Sequence, residues 1–211
     1  MEPEVATPAK RGRKPRDPSV ILDALEGLLA DRPLHELAME DILEAAGVAR
    51  ATFYQHYATK NVAAVALFDR VLEEITATTG AFVSRQDGTP VVEALRRGIQ
   101  DSTATWFRHQ AVLETVVQNA HVVPEFALTL DRMKADFGRA IAVEIERERV
   151  AGLAPDGPPV DALCAALVES TVHLLYSAGR PRSTRLEGPD AIAESILALW
   201  CGAVYQLPPP A

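Results

Sequence analysis

The chain is poor in the features that mark most enzymes, secreted proteins and membrane proteins. It has two cysteines, Cys164 and Cys201, in 211 residues. Two are too few for a disulfide scaffold and fit no metal spacing, so they read as small buried apolar residues of a cytosolic protein. Aromatics are only 6%. The five histidines, His35, His56, His109, His121 and His173, show no H-E-x-x-H or other ligand spacing, and no nucleophile elbow is present. No catalytic residue, metal site or cofactor is therefore expected, and the chain does not read as an enzyme. Basic residues near the N-terminus are followed by no apolar h-region, so no signal peptide is expected. No apolar run approaches a membrane span. These absences predict a soluble, cytoplasmic protein without a membrane partner. No stretch alternates like a strand, and there is no Gly-rich phosphate loop or internal repeat.

What is present is helical periodicity and an uneven charge. Apolar residues make up 48%, enough for a sizeable core. The net charge of −8 argues against a generally sticky polyanion binder. Yet Lys10, Arg11, Arg13, Lys14 and Arg16 form a compact basic arm, leaving 16 basic and 27 acidic residues in 17–211. A basic arm on an acidic body points to a local polyanion contact. Residues 1–16 have no periodicity and read as disordered alone. Their core, Arg11 to Pro15, resembles an AT-hook, whose arginines lie in a narrow A·T-rich minor groove of enhanced negative potential. The alternative is a non-specific solubilising tail; beside a helix-turn-helix the DNA arm is the favoured reading.

Nine helices are expected. Asp17-Pro18 starts the first, with Asp as N-cap and Pro at the first helical position. Val20, Ile21, Ala24, Leu25, Leu28 and Leu29 give it one apolar face. The second runs near Met39 to Ala46, Gly47 turns the chain, and the third runs near Arg50 to His56. Gly suits the left-handed conformation that a helix C-terminus often needs. Thr59 can cap a long fourth helix to Thr79, with Lys60 at its N-terminus placed to meet a phosphate. Breaks at Gln86-Asp87-Gly88 and at 152–159 separate helices from Pro90 to Phe107, Gln110 to Ala120 and Pro124 to Val150. Two apolar helices, Val160 to Ala178 and Asp190 to Tyr205, close the fold.

The stretch 42–60 is the most informative. It reads as two short helices around a tight turn, with Val48 as a buried pivot. One interpretation is a helical hairpin inside an all-α core. The other is a reading head, since a short polar helix braced by its predecessor suits a DNA major groove. Arg50, Thr52, Tyr54, Gln55 and His56 would then face DNA, Gln55 reading an adenine edge and Arg50 reaching a guanine or a phosphate. Phe53 belongs to the core, and Tyr57 partly so.

Ala46-Gly47-Val48, the run Thr52-Phe53-Tyr54 with Tyr57, and Thr59-Lys60 opening the fourth helix resemble the TetR family of bacterial transcriptional regulators. The resemblance extends along the whole chain. Within the family it is most similar to the ethionamide-monooxygenase repressor branch, through Asp31-Arg32-Pro33-Leu34, Arg50-x-Thr52-Phe53-Tyr54, Arg97-Gly98-Ile99, Leu199-Trp200 and Val204-Tyr205. The resemblance implies a homodimeric repressor. Its two reading helices would enter successive major grooves of a palindrome-like double-stranded operator, roughly 34–36 Å apart, and a small-molecule effector would release it.

The implied organisation is a basic arm (1–16), a helix-turn-helix domain (17–62), an effector-binding and dimerisation domain (63–207) and a tail (208–211). The implied DNA contacts are Arg11, Arg13, Lys14, Arg16, Arg50, Thr52, Tyr54, Gln55, His56, Tyr57 and Lys60. The effector pocket would draw on Leu95, Trp106, Phe107, Leu113, Val117, Phe126, Leu130, Met133, Phe137, Glu169, His173 and Tyr176. Each of these also reads as ordinary core, and Glu169 and His173 are also spaced to pair with each other. Leu163, Leu167, Thr171, Ile192, Ile196, Leu199 and Trp200 would form the dimer interface. Two departures from the family stand out: alanines, Ala38 and Ala49, at the caps of the second and third helices, and nine acidic against four basic residues in 17–70. They motivate an alternative, a ligand-binding protein with degenerate DNA binding.

Overall fold

The computed structural model describes residues 17–83, 89–178 and 188–207, with the side chains of 78–83 left out. The expected basic arm, with Arg11, Arg13, Lys14 and Arg16, the break at Gln86-Asp87-Gly88 and the tail at 208–211 lie outside the described residues. Among the described residues there are nine α-helices and no strand: α1 Ser19–Asp31, α2 Met39–Ala46, α3 Arg50–His56, α4 Lys60–Val83, α5 Val91–Arg108, α6 Gln110–Asn119, α7 Pro124–Val150, α8 Val160–Ala178 and α9 Gly188–Tyr205. A 3₁₀ turn, Leu34–Glu36, joins α1 to α2.

The helix starts follow capping chemistry with small differences from the sequence reading. Asp17 accepts the Ser19 N–H at 3.0 Å, so α1 begins after Pro18, one residue later than expected. Thr59 Oγ1 accepts the Val62 N–H at 3.1 Å and caps α4 as expected. Thr89-Pro90 gives no side-chain cap, and α5 begins at Val91. α9 begins at Gly188, two residues before Asp190, and Gly188 has φ 84°, which favours glycine. α4 runs four residues past Thr79.

The first three helices and the start of α4 share one small core. Leu25, Ile42, Phe53, Leu67 and Phe68 are each fully buried there, and burying such a side chain contributes about 1.5–3 kcal/mol. The body continues the same core. α4 packs on α5 and α7, α7 on α8, and α9 closes against α5 and α8.

α8 corrects one expectation. By length and composition it is apolar enough to cross a membrane, with mean hydropathy 1.2. Its apolar character arises from an inward row of Cys164, Leu167, Val168, Val172 and Leu175, with alanines outside. Cys164 and Cys201 are both free and buried. Burial pushes the Cys164 thiol up to about 11 and raises that of Cys201. Both thiols are therefore expected to resist iodoacetamide at pH 8 and to react fully in denaturant; mass spectrometry reads the adducts. Because the folded Cys164 holds its proton longer, its contribution to stability is intact below pH 9 and is lost as pH rises toward 11.

Candidate nucleic-acid head and ligand cavity

The turn between α2 and α3 is built as the sequence implies. Gly47 adopts φ 59°, ψ 36°, and its N–H and that of Val48 return to the carbonyls of Glu44 and Leu43. A residue with a Cβ is strained there, which explains the glycine. Val48, expected to be buried, is half-buried against the core. Phe53 is fully buried and anchors α3 from beneath. Its ring lies 5.5 Å from that of Tyr54 and 5.8 Å from that of Tyr57. Tyr54 is 48% exposed, Gln55 and His56 are exposed, and Thr52 and Tyr57 are half-buried. Burial raises the Tyr57 hydroxyl above its ordinary pKa, so it stays a neutral donor. α3 thus presents one polar-aromatic face outward.

Ala38 and Ala49 do sit at the N-caps, and neither supplies a side-chain bond. Asp41 partly replaces the missing cap at α2 by accepting the Ala38 N–H at 2.9 Å.

The four cations of residues 17–70 are all engaged within the chain. Arg32 pairs with Asp41 at 3.3 Å, Arg50 with Glu40, and Arg70 with Asp23 and Glu26 at 2.6 and 2.8 Å. Lys60 has a role inside the chain that the sequence does not announce: its Nζ donates to the carbonyls of Leu34 at 2.9 Å and Leu37 at 2.7 Å. The ammonium ties the start of α4 to the segment that carries α2. Lys60→Met takes this donor from the Leu37 carbonyl, while the Leu34 carbonyl keeps the Leu37 N–H at 3.3 Å, and is expected to cost about 1–3 kcal/mol. Thermal denaturation reads the loss. A pure phosphate contact would leave the melting temperature unchanged and lower the salt slope of DNA binding by about one.

A second strut lies about four turns further along α4, at Glu74. His109, between α5 and α6, has Nδ1 against Glu26 of α1 and Nε2 at 3.0 Å from Glu74 of α4. Arg70 braces Glu26 and Arg108 braces Glu74. One charged cluster therefore clamps the head helix α1, the long helix α4 and the body.

Beyond this clamp the body holds a cavity of about 110 Å³. Its walls are helix faces in register: Leu72 and Ile75 of α4; Leu95, Gly98, Ile99, Ser102, Thr103 and Trp106 of α5; Met133, Phe137 and Ile141 of α7; Val168, Thr171, Val172 and Leu175 of α8; Ile196 and Trp200 of α9. The lining carries no ionisable side chain. A wider groove between α4 and α7, rimmed by Asp69, Glu73, Arg132 and Asp136, shares Leu72, Met133, Phe137 and Ile141 with it.

Of the residues expected to line an effector pocket, Leu95, Trp106, Met133 and Phe137 line this cavity. Phe107, Leu113, Val117, Phe126, Leu130, Glu169, His173 and Tyr176 lie outside its lining. Leu113 and Phe126 are fully buried in the core, and Phe107 lies on another face of α5, by a shallow groove at the end of α1. Glu169 and His173 are on the exposed side of α8. They do not pair with each other: Glu169 holds Lys134 at 2.8 Å and His173 lies 3.4 Å from Ser177 Oγ. The residues expected at a dimer interface divide similarly. Leu167, Ile192, Ile196 and Trp200 are buried in this protomer's own core, and Thr171, Ile196 and Trp200 wall the cavity. Only Leu199, at 38%, is exposed, and Leu163 is half-buried. Ile75, Ile99 and Val172 also line the cavity, which the sequence does not announce because periodicity marks a buried face without saying what that face meets. Among the described residues, no group of three or more His, Cys, Asp or Glu is placed to hold a metal ion.

A reading helix braced across a glycine turn, carried by a helical body with an apolar cavity, defines a helix-turn-helix DNA-binding protein with an internal chamber. Residues 21–70 match the family model for bacterial regulatory proteins of the tetR family, and residues 95–206 match that for the C-terminal domain of the transcriptional regulator EthR. The chain belongs to the TetR family of transcriptional regulators, with a C-terminal domain of the EthR type. It is 27% identical over 204 residues to the HTH-type transcriptional regulator EthR of Mycobacterium tuberculosis (strain ATCC 25618 / H37Rv), covering 92% of this chain and 93% of that one. Identity to the regulator of the same name from Mycolicibacterium smegmatis is 24% over 205 residues, covering 94% of each chain. The fold is similar to that of SmeT, the repressor of the Stenotrophomonas maltophilia multidrug efflux pump SmeDEF, with TM-score 0.71 at 18% identity over 94% of this chain and 97% of that one.

Proposed function

We propose that this regulator represses transcription as a homodimer on a palindrome-like operator and is released when an apolar small molecule fills the cavity. The observation that supports this is the double role of α4. Its residues Leu72 and Ile75 wall the cavity, and its first residue, Lys60, holds the segment before α2. The two ends of that lever lie about 22 Å apart at 1.5 Å per residue. A ligand that widens the cavity shifts α4, and the head moves with it. Two heads held at one groove spacing then lose register with the operator. The ligand acts only through its stronger binding to the released state.

In this reading residues 17–62 are the DNA-binding unit and 63–207 the effector and dimerisation unit. The dimer forms on the outward faces of α8 and α9, where Ala162, Ala165, Ala166, Leu199 and Gly202 are exposed and small side chains let helices approach closely. Tyr54, Gln55 and Arg50 face the groove, Arg50 exchanging Glu40 for DNA. With the head's cations already paired, the basic arm supplies much of the phosphate contact. A mobility-shift assay with DNA flanking the protein's own gene, with and without an apolar compound library, tests this. A specific shift that a compound abolishes is expected. Absence of any specific shift at low salt sinks the proposal.

A further inference from the structure

The cavity wall contains two tryptophans whose indole N–H groups are in different situations. Trp200 Nε1 donates to Thr171 Oγ1 at 3.0 Å. Trp106 is 4% exposed, and its Nε1 is buried with no hydrogen-bond partner. Ser102 Oγ, one turn earlier on α5, donates to the carbonyl of Gly98 at 2.5 Å and makes no bond with the indole. A buried donor left unmet is costly, and whatever supplies an acceptor recovers that cost.

We propose that the effector carries a neutral hydrogen-bond acceptor, such as a ketone, ester or ether oxygen, that takes the Trp106 indole N–H, the remainder of the molecule being apolar. This rests on the cavity being the effector site. The acceptor is uncharged because no Lys, Arg or His lines the cavity. A carboxylate there would be buried without a counter-charge. The adjoining groove carries Asp69, Glu73 and Asp136 against one cation, Arg132, which is paired with Asp69 at 2.7 Å, and so disfavours an anion further. The Trp106 N–H is buried in the cavity wall, so seating the acceptor and turning the ring occur together. Trp106 lies on α5, which packs along α4, so the same event presses on the lever.

Three probes of nearly equal shape separate the possibilities: benzophenone, diphenylmethane and 4-benzylbenzoate. Titration calorimetry on the full chain gives affinities. Spectra of the protein labelled with ¹⁵N-tryptophan give one indole signal for each of the two tryptophans, assigned with Trp106→Phe and Trp200→Phe. The expected result is benzophenone binding roughly tenfold tighter than diphenylmethane, with 4-benzylbenzoate weakest. The Trp106 N–H signal moves downfield with benzophenone only. In Trp106→Phe the preference disappears while diphenylmethane affinity is retained. Equal wild-type affinities for the two neutral probes with an unmoved indole signal, or a preference that survives Trp106→Phe, overturns the inference and leaves an apolar effector site standing. Benzoate binding as tight as the ketone overturns the neutrality of the acceptor. Failure of all three to bind, with a specific operator shift intact, overturns the cavity as a ligand site altogether. Should Trp106→Phe not fold, the wild-type affinities and indole signals decide alone.

Discussion

Phe53→Ala removes operator binding while the body of the protein stays folded. Phe53 is the fully buried anchor of α3, packed in a head core that includes Leu25, Ile42 and Phe68. α3 has only seven residues, far below the length at which a helix holds itself together in water. Its position therefore depends on this one ring. Truncating a buried Phe typically costs about 3–5 kcal/mol, against a whole-domain stability of about 5–15 kcal/mol. The loss falls on the head, since the cavity walls lie in the other helices. The expected outcome is at least a hundredfold weaker operator binding in a mobility-shift assay, a modest loss of helicity by circular dichroism, and unchanged binding of apolar ligands. Phe53→Leu, which preserves most of the volume, keeps measurable operator binding. Operator affinity within twofold of wild type in Phe53→Ala would show that α3 is positioned by something else.

Ser102→Phe places the protein in its released state without ligand. Ser102 lines the cavity on α5 and is half-buried, with its hydroxyl turned back to the carbonyl one helical turn earlier. Replacing it removes a local hydrogen bond that the helix does not require and adds a ring to the space a ligand would fill. Overpacking of a tight interior costs about 1–3 kcal/mol, but here an existing void receives the added volume. The expected outcome is an operator affinity lowered about tenfold or more, as a shift in state of that size requires, together with loss of any further response to apolar compounds. Protein concentration and salt are held constant, because both dimerisation and phosphate contacts change apparent affinity. A variant that binds operator normally yet no longer responds to compounds would separate the cavity from control of DNA binding.

The head was the most legible part of the chain. Its features are local: a glycine that must adopt positive φ at Gly47, a threonine cap at Thr59, and an aromatic run whose i, i+4 spacing sets Phe53 and Tyr57 on one side. The boundaries of α2, α3 and α6 to α8 followed equally from periodicity and breakers, since helical hydrogen bonds close within four residues. The partners of charged residues were not legible. Nothing local in the sequence shows that Lys60 holds the carbonyls of Leu34 and Leu37, more than twenty residues earlier in the chain. Glu169 was read beside His173, and it holds Lys134 of α7.

The sequence by itself determined the all-α fold, the order of the helices, the braced turn and the family, because each is written in short-range spacing. Only the tertiary structure decided which apolar residues enclose space and which fill it. Leu113 and Phe126 read like Trp106 and Phe137, yet the first pair is solid core and the second pair walls a void. Ile196 and Trp200 read as a surface for a second subunit, and they close this protomer's own chamber. Periodicity tells a helix which side to bury. Which helix faces that side, and how closely, depends on the packing of five helices from distant parts of the chain, and the cavity exists only where those faces fail to meet.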